Sequence, residues 1–272
     1  MKYEKVVKAS FIERKNRFVA VVDVETDPGT WERVSVHVKN TGRCKELLIP
    51  GVTVYLEDYE GRMGSRKMRY SLIGVEKEIL REGKKDILLI NMDSQAPNKV
   101  VQEALASGKL KLPGFAEGGG DHSGTPRLLI KPETTYGNSR FDFYLEQESE
   151  SGEERENCQK AFVEVKGVTL EEDGFARFPD APTQRGVKHI KELCKAVEDG
   201  HKAFVLFVIQ MKGMHTFGPN DDTHPEFGKA LAEAAAKGVR IMAVDCIVTP
   251  DTLELDQKVP IQLSQAAKAS EI

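Results

Sequence analysis

Alternation of apolar and polar residues with a period of two dominates the first 84 positions. Phe18-Val-Ala-Val-Val-Asp-Val24, Val34-Ser-Val-His-Val38, Val52-Thr-Val-Tyr-Leu56 and Tyr70-Ser-Leu-Ile-Gly-Val75 carry it, as half-buried strands do. Asp27-Pro-Gly29 and Pro50-Gly51 punctuate them as turns, since Pro pre-sets one turn position and Gly tolerates positive φ at the next. No convincing helical period interrupts them. Short strands at this spacing predict a small barrel or sandwich, and a five-stranded oligonucleotide-binding (OB) barrel is one candidate.

From about residue 85 the pattern changes. Asp86-Ile-Leu-Leu-Ile-Asn91 reads as a strand, and Pro97 opens a helix with Val100, Val101, Ala104 and Leu105 on its apolar stripe. Phe141-Asp-Phe-Tyr-Leu145 and Phe162-Val-Glu-Val-Lys166 alternate again, around an acidic loop. Thr183 is a fitting N-cap for a helix with Val187, Ile190, Cys194 and Val197 inward. Ala203-Phe-Val-Leu-Phe-Val-Ile209 is continuously apolar, the mark of a strand covered on both faces. Thr223-His-Pro-Glu226 matches a capping box ahead of an alanine-rich helix, and Val239–Val244 closes the series. Strand, helix, hairpin, helix, strand, helix, strand predicts an α/β domain with a mixed sheet over residues 85–250, after a barrel over 1–84; residues 251–272 read as a patternless tail.

The central hairpin carries the candidate chemistry. Period two places Phe141, Phe143 and Leu145 on one face and Asp142 on the other; in the partner strand Glu164 and Lys166 share a face while Val163 and Val165 point inward. Paired strands would gather two carboxylates and an ammonium. Hard oxygen ligands of that kind hold a divalent cation, and a lysine beside them orients or activates an attacking water. Most Glu-x-Lys pairs on strands are solvated ion pairs. Here the neighbourhood adds Arg140 before the Asp strand, Phe178-Pro-Asp-Ala-Pro-Thr-Gln-Arg185 after the Lys strand, and Glu133 as a third carboxylate.

The chain is 272 residues long, 40% hydrophobic and 30% charged, with no membrane-length apolar run and no signal-peptide pattern at its start. A cytoplasmic address is the expectation. Four dispersed cysteines form no Cys-x-x-Cys pair, which argues against a zinc ribbon or disulfide framework. The net charge of −4 hides a split: residues 1–90 hold 18 Lys and Arg against 14 Asp and Glu, and the remainder 21 against 29. Two barrel loops concentrate the positive charge, Arg14-Lys-Asn-Arg17 and Asn40-Thr-Gly-Arg43, with a third cluster at Arg62, Arg66, Lys67 and Arg69. Arginine forks with small amides suit phosphate contacts through Arg14, Asn16, Arg17, Asn40 and Arg43; such loops are as often merely solubilising surface. Arg185 and Lys188, in the first turn of the Thr183 helix, fall near the Glu164–Lys166 strand. Phe115–Gly124 is glycine-rich but lacks the Gly-Lys-Ser/Thr of a nucleotide-binding P-loop.

Asn40-Thr-Gly-Arg43, Pro97-Asn98, Tyr136-Gly-Asn-Ser-Arg-Phe-Asp142, Val163-Glu-Val-Lys-Gly-Val-Thr-Leu170 and Phe178-Pro-Asp-Ala-Pro-Thr-Gln-Arg-Gly-Val-Lys-His189 closely resemble the sugar fermentation stimulation protein A family, over nearly the whole chain. The resemblance implies an OB-type barrel joined to a domain like the PD-(D/E)xK nucleases. It also implies DNA binding and a role in regulating sugar-utilisation genes. Carried over residue by residue, the nuclease-like signature falls on Glu133, Asp142, Glu164 and Lys166, with Asp142 and Glu164 as ligands of Mg2+ or Mn2+. Two functions follow as expectations: a metal-dependent nuclease, or a DNA-binding regulator on a non-catalytic nuclease fold. RNA stays open beside DNA, because small barrels also bind single strands by aromatic stacking in a basic groove. Neither a membrane nor a small-molecule ligand is indicated.

Overall fold

A computed structural model describes residues 1–40, 42–81, 83–116, 128–147 and 159–264. The acidic hairpin loop and most of the glycine-rich stretch noted above lie outside the described residues. Strands β1 (Val6–Asn16), β2 (Val19–Asp27), β3 (Thr30–Val38), β4 (Thr53–Asp58), β5 (Tyr70–Arg81) and β6 (Lys84–Asn91) form one sheet in the order β3-β2-β1-β4-β5-β6. A parallel pairing of His37 with Ser71 and Val38 with Leu72 joins β3 to β5 and closes the barrel. The alternation read from the sequence supplies its interior: Ala20, Val22, Val24, Val36, Val38, Val54, Leu56 and Leu72 are all buried. β6 pairs with β5 from Gly74–Asn91 to Arg81–Lys84. The N-terminal sheet therefore runs to Asn91 rather than ending at 84, because the partner of Asp86–Asn91 is β5 and not a strand of the second domain.

Helix α1 (Ala96–Ala106) leads into β7 (Leu128–Tyr136), β8 (Ser139–Gln147) and β9 (Lys160–Val168), followed by the short β10 (Leu170–Glu172) and β11 (Phe175–Phe178). Next come α2 (Gln184–Glu198), β12 (Lys202–Ile209), β13 (Thr216–Pro219), α3 (Pro225–Ala236), β14 (Arg240–Val248) and β15 (Leu253–Lys258). The main sheet has the order β15-β14-β12-β9-β8-β7. β9, β12 and β14 run parallel, and β7, β8 and β15 are antiparallel to their neighbours. β10, β11 and β13 make a small third sheet. Residues 253–258, expected to lie in a patternless tail, form an edge strand whose register is set by its pairing with β14.

The two faces of the main sheet are covered differently. α1 packs Val100, Val101, Ala104 and Leu105 with Phe143, Val163, Val165, Phe204 and Leu206. On the opposite face α2 and α3 pack Ile190, Leu193, Phe227 and Leu231 with Phe141, Phe162, Val205 and Phe207, in a cluster continuous with the barrel core. The continuous apolar run Ala203–Ile209 is buried throughout, as a strand covered on both faces must be. Thr183 caps α2, its Oγ1 accepting from Gly186 N–H at 3.1 Å. The capping box expected at Thr223 does not form. The N-cap of α3 is His224, with no side-chain cap bond, and its Nδ1 accepts from Thr183 N–H at 3.4 Å.

Candidate active site

The strand pair β8–β9 supplies the site by coming apart. Its ladder runs from Glu146–Lys160 to Phe143–Val163 and stops there. At the split Asp142 replaces a ladder acceptor, its Oδ2 accepting from Val165 N–H at 2.7 Å. The same break rotates β8, so Phe141 enters the core beneath α2 whereas Phe143 and Leu145 enter the one beneath α1. Strict alternation had put all three on one face. Asp142 Oδ1 accepts from Asn98 Nδ2 of α1 at 2.8 Å.

Glu164 is buried at 3% exposure. Its Oε1 accepts from Lys166 Nζ and lies 2.6 Å from His189 Nδ1, which comes from α2. The other nitrogen of His189 lies 3.4 Å from Arg185 Nε, a donor. Nε2 therefore accepts, and Nδ1 carries the proton donated to Glu164. Glu164 Oε2 is buried and has no hydrogen-bond partner among the described residues. Burial raises the Glu164 pKa, but the His189 hydrogen bond and the Lys166 charge outweigh it, so the net shift is downward. Asp142 moves upward, through burial first and then the Glu164 charge, against the Val165 and Asn98 donors and Lys166. Two carboxylates held in different protonation ranges within one cluster are a recurrent arrangement of catalytic sites.

Asp142, Glu164 and Lys166 are thus brought together, and Glu133 is not. Glu133 sits in β7 between the Pro132–Phe143 and Thr134–Phe141 pairs, in register but at φ +53°. That conformation turns its exposed side chain into an ion pair with Arg140. One correction therefore removes Glu133 from the expected catalytic set and commits the Arg140 charge. The residue that reaches the site from the first helix is Asn98, a neutral amide. Among the described residues no three His, Cys, Asp or Glu side chains converge as a metal cluster. The donors present are hard carboxylate oxygens, one of them unengaged, and these fit Mg2+ or Mn2+ rather than a soft metal.

The basic loops divide just as sharply. Arg14 donates to five backbone carbonyls: Asn16 from Nε, Gly42 and Arg43 from Nη1, Arg17 and Asn40 from Nη2. A guanidinium has five N–H donors, so none remains for a phosphate, and Arg14 is a clamp holding the two loops together. Asn16 Oδ1 accepts from Phe18 N–H and Asn40 Oδ1 from Gly42 N–H, each shaping its own turn. Arg17 and Arg43 are exposed, as is Phe18, which follows Arg17 and is about half exposed at 52%. Lys188 Nζ donates to Asn138 O at 2.7 Å and so ties α2 to the β7–β8 turn. In the third basic cluster Arg69 binds Asp58, Arg62 binds Glu4, and Arg66 lies 3.6 Å over the Tyr59 ring. Arg62 and Arg69 are thus ion-paired within the barrel, while Lys67 is exposed.

An OB barrel fused to an α/β domain whose sheet presents Asp142, Glu164 and Lys166 defines the class of protein. The SfsA N-terminal OB domain matches residues 12–88 and the sugar fermentation stimulation protein RE domain matches residues 95–252. The chain belongs to the sugar fermentation stimulation protein family. It is similar to the sugar fermentation stimulation protein homologs of Ruminiclostridium cellulolyticum (47% identical, over 97% of this chain and 100% of the relative) and Desulfitobacterium hafniense strain DCB-2 (48%, over 97% and 99%). The structure of Pyrococcus furiosus SfsA in complex with Ca2+ matches with a TM-score of 0.72 at 27% identity, over 97% of this chain and 98% of that one.

Proposed function

We propose that the protein is a nuclease dependent on Mg2+ or Mn2+, acting on DNA held between its barrel loops and the β8–β9 split. The observation that carries this reading is Glu164 Oε2, a carboxylate oxygen buried beside Lys166 and Asp142 with no hydrogen-bond partner among the described residues. Leaving a buried acceptor bare is unfavourable by about 1–3 kcal/mol, and a cation at that oxygen removes the penalty. The Ca2+ complex of the Pyrococcus furiosus relative lends support, Ca2+ being a cation with the same preference for oxygen.

Asp142 and Glu164 would hold the cation, whose chemistry when bound is to polarise a phosphoryl oxygen and acidify water. The other roles belong to the chain. Asn98 and the Val165 N–H fix the Asp142 carboxylate, and His189 fixes Glu164 through Oε1, leaving Oε2 directed to a ligand. Lys166 orients the attacking water and offsets the charge growing on phosphorus. Arg17, Arg43 and the exposed Phe18 ring suit a strand's phosphates and one stacked base.

The test is cleavage of single- and double-stranded DNA and RNA with Mn2+ or Mg2+, beside Lys166→Ala and Asp142→Ala. Metal-dependent cleavage lost in both variants is the expected result. Equal binding without cleavage in all three proteins would support the second reading, a non-catalytic DNA-binding regulator. That reading is favoured by the neutral Asn98, which reaches Asp142 from α1 without adding a third carboxylate.

A further inference from the structure

One polar cavity, of about 180 Å³, lies where the barrel meets the α/β domain. Asn40, Gly42 and Ser94 line one side; Gly167, Thr169, Arg177, Phe178, Asp180 and Gln210 line the other. It begins one residue beyond Lys166 along β9. We infer that this cavity is a nucleobase subsite, taking one base of the strand whose backbone passes Lys166. The inference rests on the nuclease reading and deepens it.

The walls are closely packed at their two glycines. A methyl group at Gly167 would lie 2.5 Å from Gln210 Oε1 and 2.9 Å from Pro97 Cγ, and one at Gly42 would lie 2.3 Å from Asp180 Oδ2. A side chain at either position would have to displace these wall groups. Its polar groups are also fixed in orientation. Gln210, 1% exposed, donates from Nε2 to Asn91 Oδ1 and Asp93 O, so its acceptor Oε1 faces Gly167. Asn40, 9% exposed, has Oδ1 engaged by Gly42 N–H, so its NH2 is the group left for a ligand. Thr169, also nearly buried, adds a hydroxyl. Arg177 Nε is 2.9 Å from Glu172 Oε2 but misaligned for a hydrogen bond. Phe178 gives the apolar wall.

The chemistry selects the occupant. The Asp180 carboxylate repels a phosphate, so the backbone stays outside with Arg17 and Arg43. A flat neutral group with both donors and acceptors on its edge satisfies Asn40 NH2, Gln210 Oε1, Thr169 and Asp180 together, and a base is such a group. A neutral sugar offers similar polarity but has no reason to lie one residue from Lys166.

The experiment measures binding in EDTA, so that cleavage does not intervene. A single abasic position is walked along a short single-stranded oligonucleotide, against wild type, Thr169→Val and Asp180→Asn, each checked for an unchanged thermal midpoint. One position is expected to cost wild type about tenfold in affinity, and Thr169→Val to lose that preference. Free nucleoside monophosphates and glucose are titrated in parallel. An oligonucleotide that binds and is cut with Mn2+, yet is indifferent to every abasic position, overturns the subsite and leaves the nuclease standing. Should cleavage fail altogether, saturable nucleoside monophosphate binding weakened in Thr169→Val still supports the subsite. Saturation by glucose alone, or by neither ligand, overturns it.

Discussion

The loops around Arg14 and the split strands around Glu164 are both dense in charge, and they differ in the hydrogen-bonding capacity each leaves over. Every donor of Arg14 is matched to a backbone carbonyl. At Glu164 one oxygen is doubly engaged and the other is bare. The first arrangement is complete without a ligand; the second leaves an acceptor open among the described residues. Formal charge along a sequence therefore says little about availability. The count of matched donors and acceptors around each group is what separates a residue serving the fold from one serving a substrate.

The sharpest way to break the contrast is at the site itself. Lys166→Ala should lower metal-dependent cleavage by at least about 10²-fold and, by taking the ammonium from buried Glu164, also lower the thermal midpoint, checked by gel assay and melting curve. Next in size, Arg14→Ala should destabilise the chain by about 3 kcal/mol, read by urea titration. Arg17→Ala and Arg43→Ala should leave stability untouched while weakening DNA binding and reducing its salt slope by about 1 each. If Arg14→Ala were fully stable and only binding fell, the clamp would be wrong. A smaller effect is expected for His189→Ala, about 10-fold in metal affinity, measured by Mn2+ titration. The smallest concerns pH. The folded-state pKa of Glu164 is lowered, so its ionised form adds stability above the ordinary carboxylate range, and that is lost as pH falls through the folded value. The melting difference between wild type and Glu164→Gln should accordingly be largest near neutrality and shrink in acid.

Period-two alternation made the barrel strands legible, and Glu-x-Lys on a strand beside an Asp strand made the heart of the site legible. Pairings between distant strands were not: β6 looks like the start of a new domain until β5 is placed beside it. Glu133 misleads because a positive φ within a strand changes where a side chain points, and a one-letter pattern carries no trace of it. Asn98 and His189 were in view only as members of motif blocks. A neutral amide after Pro97 and a histidine on an inward helix face acquire their roles from neighbours far away in sequence. Arg14 is the clearest case. Its five partners are carbonyls, which every residue has.

The seam between the barrel and the α/β domain bears on how the chain can be divided. Asn91 N–H donates to Gln210 O, Gln210 Nε2 donates to Asn91 Oδ1 and Asp93 O, and Lys39 Nζ reaches both Glu57 and Asp93. Tyr3 joins the same buried group through Asp93 and Asn91. A cut between residues 91 and 95 would separate Gln210 from Asn91 and Asp93, its buried partners. Swapping one domain for that of a distant relative would bring together mismatched halves of a single polar lock. The two domains are therefore better handled as one piece, and a library of variants is better built across the seam than on either side of it.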